Sequence, residues 1–503
     1  MNLLTAAWVP IQDKGLYEKI TVQQLLCGEK ERDICLPRDD MELACLQLLS
    51  AITQTLFTPE NKKSLGKYVT QPLTPEVYLA AIQDKLNWFD LDHPDTPFMQ
   101  FRGVKSTSAT PMNKLMAGVA DGTNKTFVNP QGLIEGLCHG CVAIALFNAA
   151  NNCPSMGGGF KGSLRGSTPI TLLIKGKTVR ETIWLNVLTE ETINQMMPWY
   201  EATKDQVPNY LTPINKGGTI QSSAIGLLRG LLWQPAHFEL LPATSEQQIC
   251  SCCGCNEQVY TGFNKEKFSY TIEGVWPHPL SSRIFTIKAG NKKEKFPSFT
   301  TRAPTWTHMS RLVVDQQTEK GGQQAAPVIQ QARQFIASEK MQLIVGGYRN
   351  NQATILERRH DLFSLKQGWT EHGEVIHRLI ETGLSYKQCL INSLIAFKNG
   401  RKKSKQYEEI KGAGINLVQN AEENYYQQTE NLMQQGLAQV HFEAPEDDLD
   451  ALQQQLKSIV KDLFNQATAP YRQEPKMLKA LAMARRSLHK YLKNLEPQGE
   501  KNE

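Results

Sequence analysis

Two groups of cysteines carry the clearest chemistry in the chain. Cys138-His139-Gly140-Cys141 is a CxxC pair, and Cys250-Ser251-Cys252-Cys253-Gly254-Cys255 holds two overlapping pairs, 250/253 and 252/255. A CxxC knuckle lets two thiolates meet one ion, and two knuckles complete a tetrahedral zinc site with Zn–S bonds of about 2.3 Å. Either pair of the second group can supply the second knuckle. The 11 cysteines are an odd count, and the N-terminus Met1-Asn2-Leu3-Leu4 lacks the pattern of a signal peptide. The expectation is therefore a cytoplasmic protein, in which metal is favoured over disulfides. Cys27, Cys35, Cys45, Cys153 and Cys389 have no close partner in sequence and read as small buried apolar residues. A redox role for the CxxC pairs needs thioredoxin-like βαβ surroundings, and none are apparent.

Two glycine-bearing segments offer a different chemistry. In Met156-Gly157-Gly158-Gly159-Phe160-Lys161-Gly162 the missing Cβ atoms let backbone approach a ligand closely. Lys161 and Arg165 follow, so a nucleic-acid backbone or groove can sit there. In Gly346-Gly347-Tyr348-Arg349-Asn350-Asn351-Gln352-Ala353, paired glycines precede a tip rich in amides. Amide side chains carry donors and acceptors that suit base edges, although such a string also serves as an ordinary turn. Net charge is only +5, from 55 basic and 50 acidic residues. Positive charge concentrates at Lys292-Lys293-Glu294-Lys295 and from Lys398 to Lys405. Such clusters attract phosphates through counterion release, or simply solvate a loop.

The familiar catalytic motifs are missing. Gly176-Lys177-Thr178 looks like the end of a phosphate-binding loop, but Thr171 stands where that motif needs glycine. The glycine run at 157–159 fits neither GxxxxGK[ST] nor GxGxxG. There is no HExxH and no GxSxG. A zinc-dependent nuclease built on His360, Asp361 and the cysteines is the alternative reading, and only one part of such a site is visible.

The elements that must position these groups fall into two regions. The chain has 503 residues, 40% hydrophobic and 21% charged, which is ordinary globular composition. The longest clean apolar stretch, Cys141 to Phe147, is far short of the ~20 residues of a membrane span. Residues 1–365 alternate short apolar runs with Gly, Pro and Asn. Strands are expected over Thr171–Ile174, Phe268–Ile272 and Arg283–Ile287, and a helix over Met41–Phe57. Residues 366–503 read as four helices. Leu449, Leu452, Leu456, Ile459 and Leu463 form one stripe at 3-and-4 spacing; Leu478, Leu481, Leu488, Leu492 and Leu495 form another. A third helix carries Val375, Ile376, Leu379, Ile380, Leu384, Ile391, Leu394 and Ile395, and a fourth runs near Ile415 to Met433. The expected fold class is α+β, a large mixed N-terminal domain with a zinc site followed by a C-terminal four-helix bundle.

Several long strings resemble one family. They are Leu36-Pro37-Arg38-Asp39-Asp40-Met41-Glu42-Leu43, Phe127-Val128-Asn129, Leu137 to Cys141, Leu228 to His237, Tyr260 to Phe268, Gly346 to Gln352 and Glu357 to Asp361. The chain resembles, over nearly its whole length, the CasA family of large subunits of the type I-E CRISPR surveillance complex Cascade. The resemblance implies a protein without catalytic activity of its own. It implies that the chain recognises the protospacer-adjacent motif (PAM) in double-stranded DNA, starts unwinding, and later recruits a helicase-nuclease. The implied partners are CRISPR RNA, target DNA and the backbone and small subunits of the complex. The implied PAM readers are Gly157, Gly158 and Gly159, the minor-groove Lys267, and the wedge Gln352 beside Asn351. Phe127, Val128 and Asn129 match the loop that meets the RNA handle and the adjacent backbone subunit. Cys138, Cys141, Cys250 and Cys253 match a structural zinc site, with Cys252/Cys255 left as a rival second knuckle.

Overall fold

Helix α1, Asp39–Leu56, begins on Asp39, Asp40 and Glu42, whose charges complement the positive end of the helix dipole. Every residue from Leu43 to Thr55 is buried, so α1 runs through the core and not along its surface. The computed structural model describes residues 1–119, 133–334, 340–402 and 416–496. It is a mixed α/β protein made of two units. Unit 1 comprises Met1–Thr301, Arg311–Ala337 and Met341–Leu362; unit 2 comprises Arg302–Ser310, Ser338–Lys340 and Phe363–Glu503.

Unit 1 contains the glycine loop and both cysteine groups. Strands β1 (Val9–Asp13) and β2 (Leu16–Ile20) form a hairpin. Strand β3 (Leu137–Cys138) runs directly into helix α2 (His139–Asn151). Strand β4 (Thr171–Lys175) is the expected strand at Thr171. Strand β5 (His237–Leu240), the short β6 (Gln248–Ile249) and β7 (Asn256–Glu257), then β8 (Val259–Tyr260) and β9 (Gly262–Glu266) follow. Strands β10 (Met341–Asn351) and β11 (Thr354–Leu365) make the long hairpin that ends at Asn351-Gln352-Ala353, with the last three residues of β11 assigned to unit 2.

Pairing fixes the geometry. β10 lies antiparallel to β4, with Gly346 opposite Thr171, in a sheet of order β11-β10-β4. β9 lies antiparallel to β5, Glu266 opposite His237. β8 pairs with β3, Val259 opposite Cys138, and β7 pairs with β6. The expected strand at Arg283 is present as Arg283–Lys288. The one at Phe268 shrinks to Thr271–Glu273. Phe268 is taken up in stacking on His237, ring centroids 4.0 Å apart.

Unit 2 holds helices α3 (Gly373–Lys402), α4 (Leu417–Gln439), α5 (Pro445–Thr468) and α6 (Leu478–Leu495). α3 packs against each of the other three, and α4 against α5. α5 opens with Pro at the first turn and Glu446, Asp447 and Asp448 behind it. Its buried stripe is Leu449, Leu452, Leu456, Val460, Leu463 and Phe464, so Val460 takes the seam position that spacing assigned to Ile459. On α6, Leu481, Leu488 and Leu492 are buried while Leu478 is 52% exposed at the first turn. Among the described residues no helix is long and apolar enough to cross a membrane.

Candidate functional site

The chain leaves α2 through Asn152 and Cys153 and enters Gly157-Gly158-Gly159. Their φ angles are +75°, +56° and +91°, a region that L side chains rarely adopt. The Phe160 N–H donates to the Gly157 carbonyl at 3.0 Å and closes the turn. A Cβ built on Gly157 would stand 3.4 Å from Ala353 Cβ, and one on Gly158 would stand 3.9 Å from Lys267 Nζ. Three segments distant in sequence therefore meet: the glycine loop, the residue that follows β9, and the tip of the β10–β11 hairpin. Gly158, Gly159, Lys267, Asn351 and Gln352 are all exposed.

Gln352 has φ +52°, a left-handed backbone in a residue that is not glycine. Such a conformation costs roughly 1–2 kcal/mol and needs outside support. Asn350 provides it. Its Nδ2 donates to the Gln352 carbonyl at 2.5 Å and to Ser167 Oγ at 3.0 Å. Its Oδ1 accepts from Thr168 Oγ1 at 2.7 Å. Sequence reasoning read Asn350 with Asn351 and Gln352 as one amide-rich tip suited to base edges or to a plain turn, and in the fold the Asn350 amide is spent on the turn.

Arg165 does not join this surface. It is 3% exposed, and its guanidinium donates to Thr171 Oγ1, Ser281 Oγ, the Asn151 carbonyl and Asn152 Oδ1 at 2.7–3.0 Å. None of these partners is a carboxylate, and burial pulls its pKa down to about 9. The sequence-based placement of Arg165 beside a nucleic-acid backbone is thus corrected. Lys161 lies 5.8 Å from the Tyr270 ring centroid.

Arg165 belongs to a buried polar chain beneath the glycine loop. Asn152 Nδ2 donates to Gln47 Oε1 at 2.7 Å and Asn148 Oδ1 at 2.9 Å. Asn148 Nδ2 donates to Tyr348 OH, which donates to Asp40 Oδ2 at 2.8 Å. Arg38 and Arg358 donate to Asp40 at 2.6 and 3.2 Å. Burial pushes the Asp40 carboxyl up, but Arg38, Tyr348 and Arg358 more than offset it, and the group sits below its ordinary value. The chain links α1, α2, β4 and β10, the elements that carry the loop and the hairpin.

The second site is metal-like. The sulfur atoms of Cys138, Cys141, Cys250 and Cys253 lie within 4.8 Å of one another. Cys138 caps α2, Cys141 sits in its first turn, and Cys250 and Cys253 come from the turn between β6 and β7. That turn is closed by Cys250 N–H to the Cys255 carbonyl at 2.8 Å, with Gly254 at φ +76°. A tetrahedral zinc with bonds of ~2.3 Å puts its sulfurs about 3.8 Å apart, and Cys138 Sγ is 3.7 Å from Cys253 Sγ. The donor set fits a closed four-thiolate site. Cys252 and Cys255 lie outside these four. Hydrogen bonds from Cys138 and Cys141 lower Cys250 to about 6 and hold Cys253 well below the usual thiol range. Lys19 on β2 places its ammonium 3.3 Å from Cys138 Sγ and 2.5 Å from Glu257 Oε1.

The remaining expected positions divide. Phe127, Val128 and Asn129 lie outside the described residues, as do Lys403 and Lys405. Lys292, Lys293 and Lys295 are exposed on the strand Asn291–Lys295. His360 and Asp361 are neighbours on β11, where successive side chains point to opposite faces. Among the described residues neither belongs to a group that could hold a metal.

The model of a family described as CRISPR-associated protein Cse1 matches residues 2–463. This chain belongs to the Cse1 family. Among solved structures it is similar to Thermobifida fusca Cse1, with 17% identity, 98% of each chain covered and a TM-score of 0.73. It is also similar to CasA of Thermus thermophilus, at 16% identity over 98% of this chain and 100% of that one, TM-score 0.70. A chain of a structure titled CRISPR RNA-guided surveillance complex matches at 16% identity, over 97% of this chain and 99% of that one, TM-score 0.67. At such identities the likeness establishes a common fold, and the side-chain geometry above is this Cse1 chain's own.

Proposed function

We propose that this chain is the non-enzymatic large subunit of a type I-E CRISPR surveillance complex, reads the PAM from the DNA minor groove and starts unwinding. The observation that supports this reading is the meeting of the Gly157–Gly159 loop with Lys267 and with Ala353, the residue that follows Gln352. A·T and T·A pairs offer only acceptors in the minor groove, so a lysine donor beside bare backbone tolerates several motifs. Gln352, on its braced tip, is the wedge, with Asn351 beside it. Inserting a side chain between base steps costs a few kcal/mol of unstacking, after which guide RNA can pair with the target strand.

Cys138, Cys141, Cys250 and Cys253 hold one structural zinc, a set with no open position for water. Family membership and this closed set support a role without bond chemistry. Phe127, Val128 and Asn129 contact the RNA handle and the adjacent backbone subunit. Residues 366–503 form a four-helix bundle, and residues 1–365 the PAM-recognition domain. The partners are CRISPR RNA, double-stranded target DNA, the backbone and small subunits, and a helicase-nuclease recruited after R-loop formation in the cytoplasm. The solved surveillance-complex chain of like fold supports that setting. The test is Gln352→Ala in the assembled complex. R-loop formation on a PAM-bearing duplex should slow roughly ten- to hundredfold, from a loss of a few kcal/mol, with assembly unchanged. An unchanged rate would remove the wedge.

A further inference from the structure

A cavity of about 460 Å³ adjoins the three loops. Met156 and Phe160, from the glycine segment, and Ala353 and Thr354, from the hairpin tip, line the same space. Met116 and Phe238 add apolar surface. Three lysines, Lys114, Lys161 and Lys265, also line it, and the Lys265 ammonium stands 5.4 Å from the Phe160 ring centroid. Asn113, another lining residue, keeps its side-chain oxygen out of solvent with no hydrogen-bond partner. An apolar slot with an aromatic wall, cations and one unspent amide acceptor has the chemistry of a site for a single unpaired nucleotide. The ring offers a stacking face, the lysines suit a phosphate, and the amide suits a base edge. The volume is that of a small-ligand pocket and far too small for a duplex.

We propose that this cavity receives the first base of the displaced strand next to the motif, flipped out of the stack as the duplex opens. The inference rests on the wedge reading of Gln352. Ala353 and Thr354 follow the wedge directly, so a base expelled at the tip is already beside the cavity. The target-strand base at that step is claimed by the guide, which leaves its former partner without a stack. Holding that partner opposes re-pairing and makes the first opened step persist.

The assembled complex is irradiated on a PAM-bearing duplex that carries 5-iodo-deoxyuridine at the first displaced-strand position, and the adduct is mapped. Attachment at Met156, Phe160, Lys161 or Phe238 is expected. An adduct confined to Asn351 or Gln352 overturns the cavity proposal and leaves the wedge standing. An adduct at none of these places overturns both. A second measurement uses an abasic site at the same position. It should weaken binding about tenfold for the unaltered protein, and not further for Phe160→Ala or for Phe160→Leu, which keeps the volume and loses the stack. Equal binding of abasic and intact duplexes by the unaltered protein overturns the proposal.

Discussion

The contact between Gly158 and Lys267 brings two residues of different legibility together. Glycine at 157–159 announces close backbone approach in any sequence, and the three left-handed φ values agree. Lys267 is one lysine among many, and only its place after β9 puts its ammonium near the loop. In the proposed role of minor-groove donor it should discriminate between duplexes. Lys267→Ala is expected to lose about 1–3 kcal/mol of binding to PAM-bearing duplex and little to PAM-free duplex, measured by titration of both at several salt concentrations. A uniform loss, with the salt slope reduced by about one, would instead assign Lys267 to a phosphate. The cysteines show the limit of spacing as evidence. Pairs 250/253 and 252/255 are identical as CxxC strings, and only the fold brings the sulfurs of the first together with those of Cys138 and Cys141. Metal analysis should find about one zinc per chain, and Cys138→Ser should lower both zinc content and solubility. A native chain free of metal, with four thiols open to titration, would dismiss the site.

At the scale of elements, the hairpin is positioned from below. Gly346 looked in sequence like part of a ligand-binding glycine pair. In the fold a Cβ there would stand 2.6 Å from Leu43 Cδ2 and 2.8 Å from the Arg359 carbonyl, so the glycine lets α1 lie against the strand pair. Under the same hairpin Tyr348 reaches Asp40 on α1 and Asn148 on α2. No period or motif in the chain predicts such a link, because its members are scattered and each alone reads as an ordinary polar residue. Buried polar chains of this kind are recognisable only once strands and helices have been placed. The link makes a pH-dependent prediction. The Asp40 carboxyl lies below its ordinary value in the folded protein. Its stabilisation is therefore complete well above the unfolded value of about 4 and fades as pH falls through the folded value. Asp40→Asn should lower stability by about 3 kcal/mol at pH 7, as expected when one partner of a buried pair is removed. The gap between variant and parent should close towards pH 3 in denaturant titrations. A gap that persists undiminished at pH 3 would mean that the charge contributes nothing and that only shape matters.

For the whole molecule, the two units differ in how openly sequence declares them. The helices of unit 2 follow from 3-and-4 spacing because each buries one stripe; misplacements such as Ile459 for Val460 are one residue wide. Several strands of unit 1 are paired across long intervals, β3 with β8 and β4 with β10, and no local pattern sets those registers. The proposed site is assembled from that less legible part, which is why its members were nameable by family resemblance before their meeting could be derived. The function proposed for it is an energetic one. Exchanging DNA–DNA for RNA–DNA pairs is nearly balanced, so a few kcal/mol at the first base step decides the rate. A duplex already mismatched over two or three pairs beside the motif removes that step. On such DNA the slow R-loop formation of Gln352→Ala should return to within about twofold of the parent, whereas Lys267→Ala should keep its deficit, because motif reading precedes opening. The measurement is R-loop formation on paired and premelted targets side by side. If Gln352→Ala stays slow on the premelted target, its side chain contributes to holding the DNA and not to prising it apart.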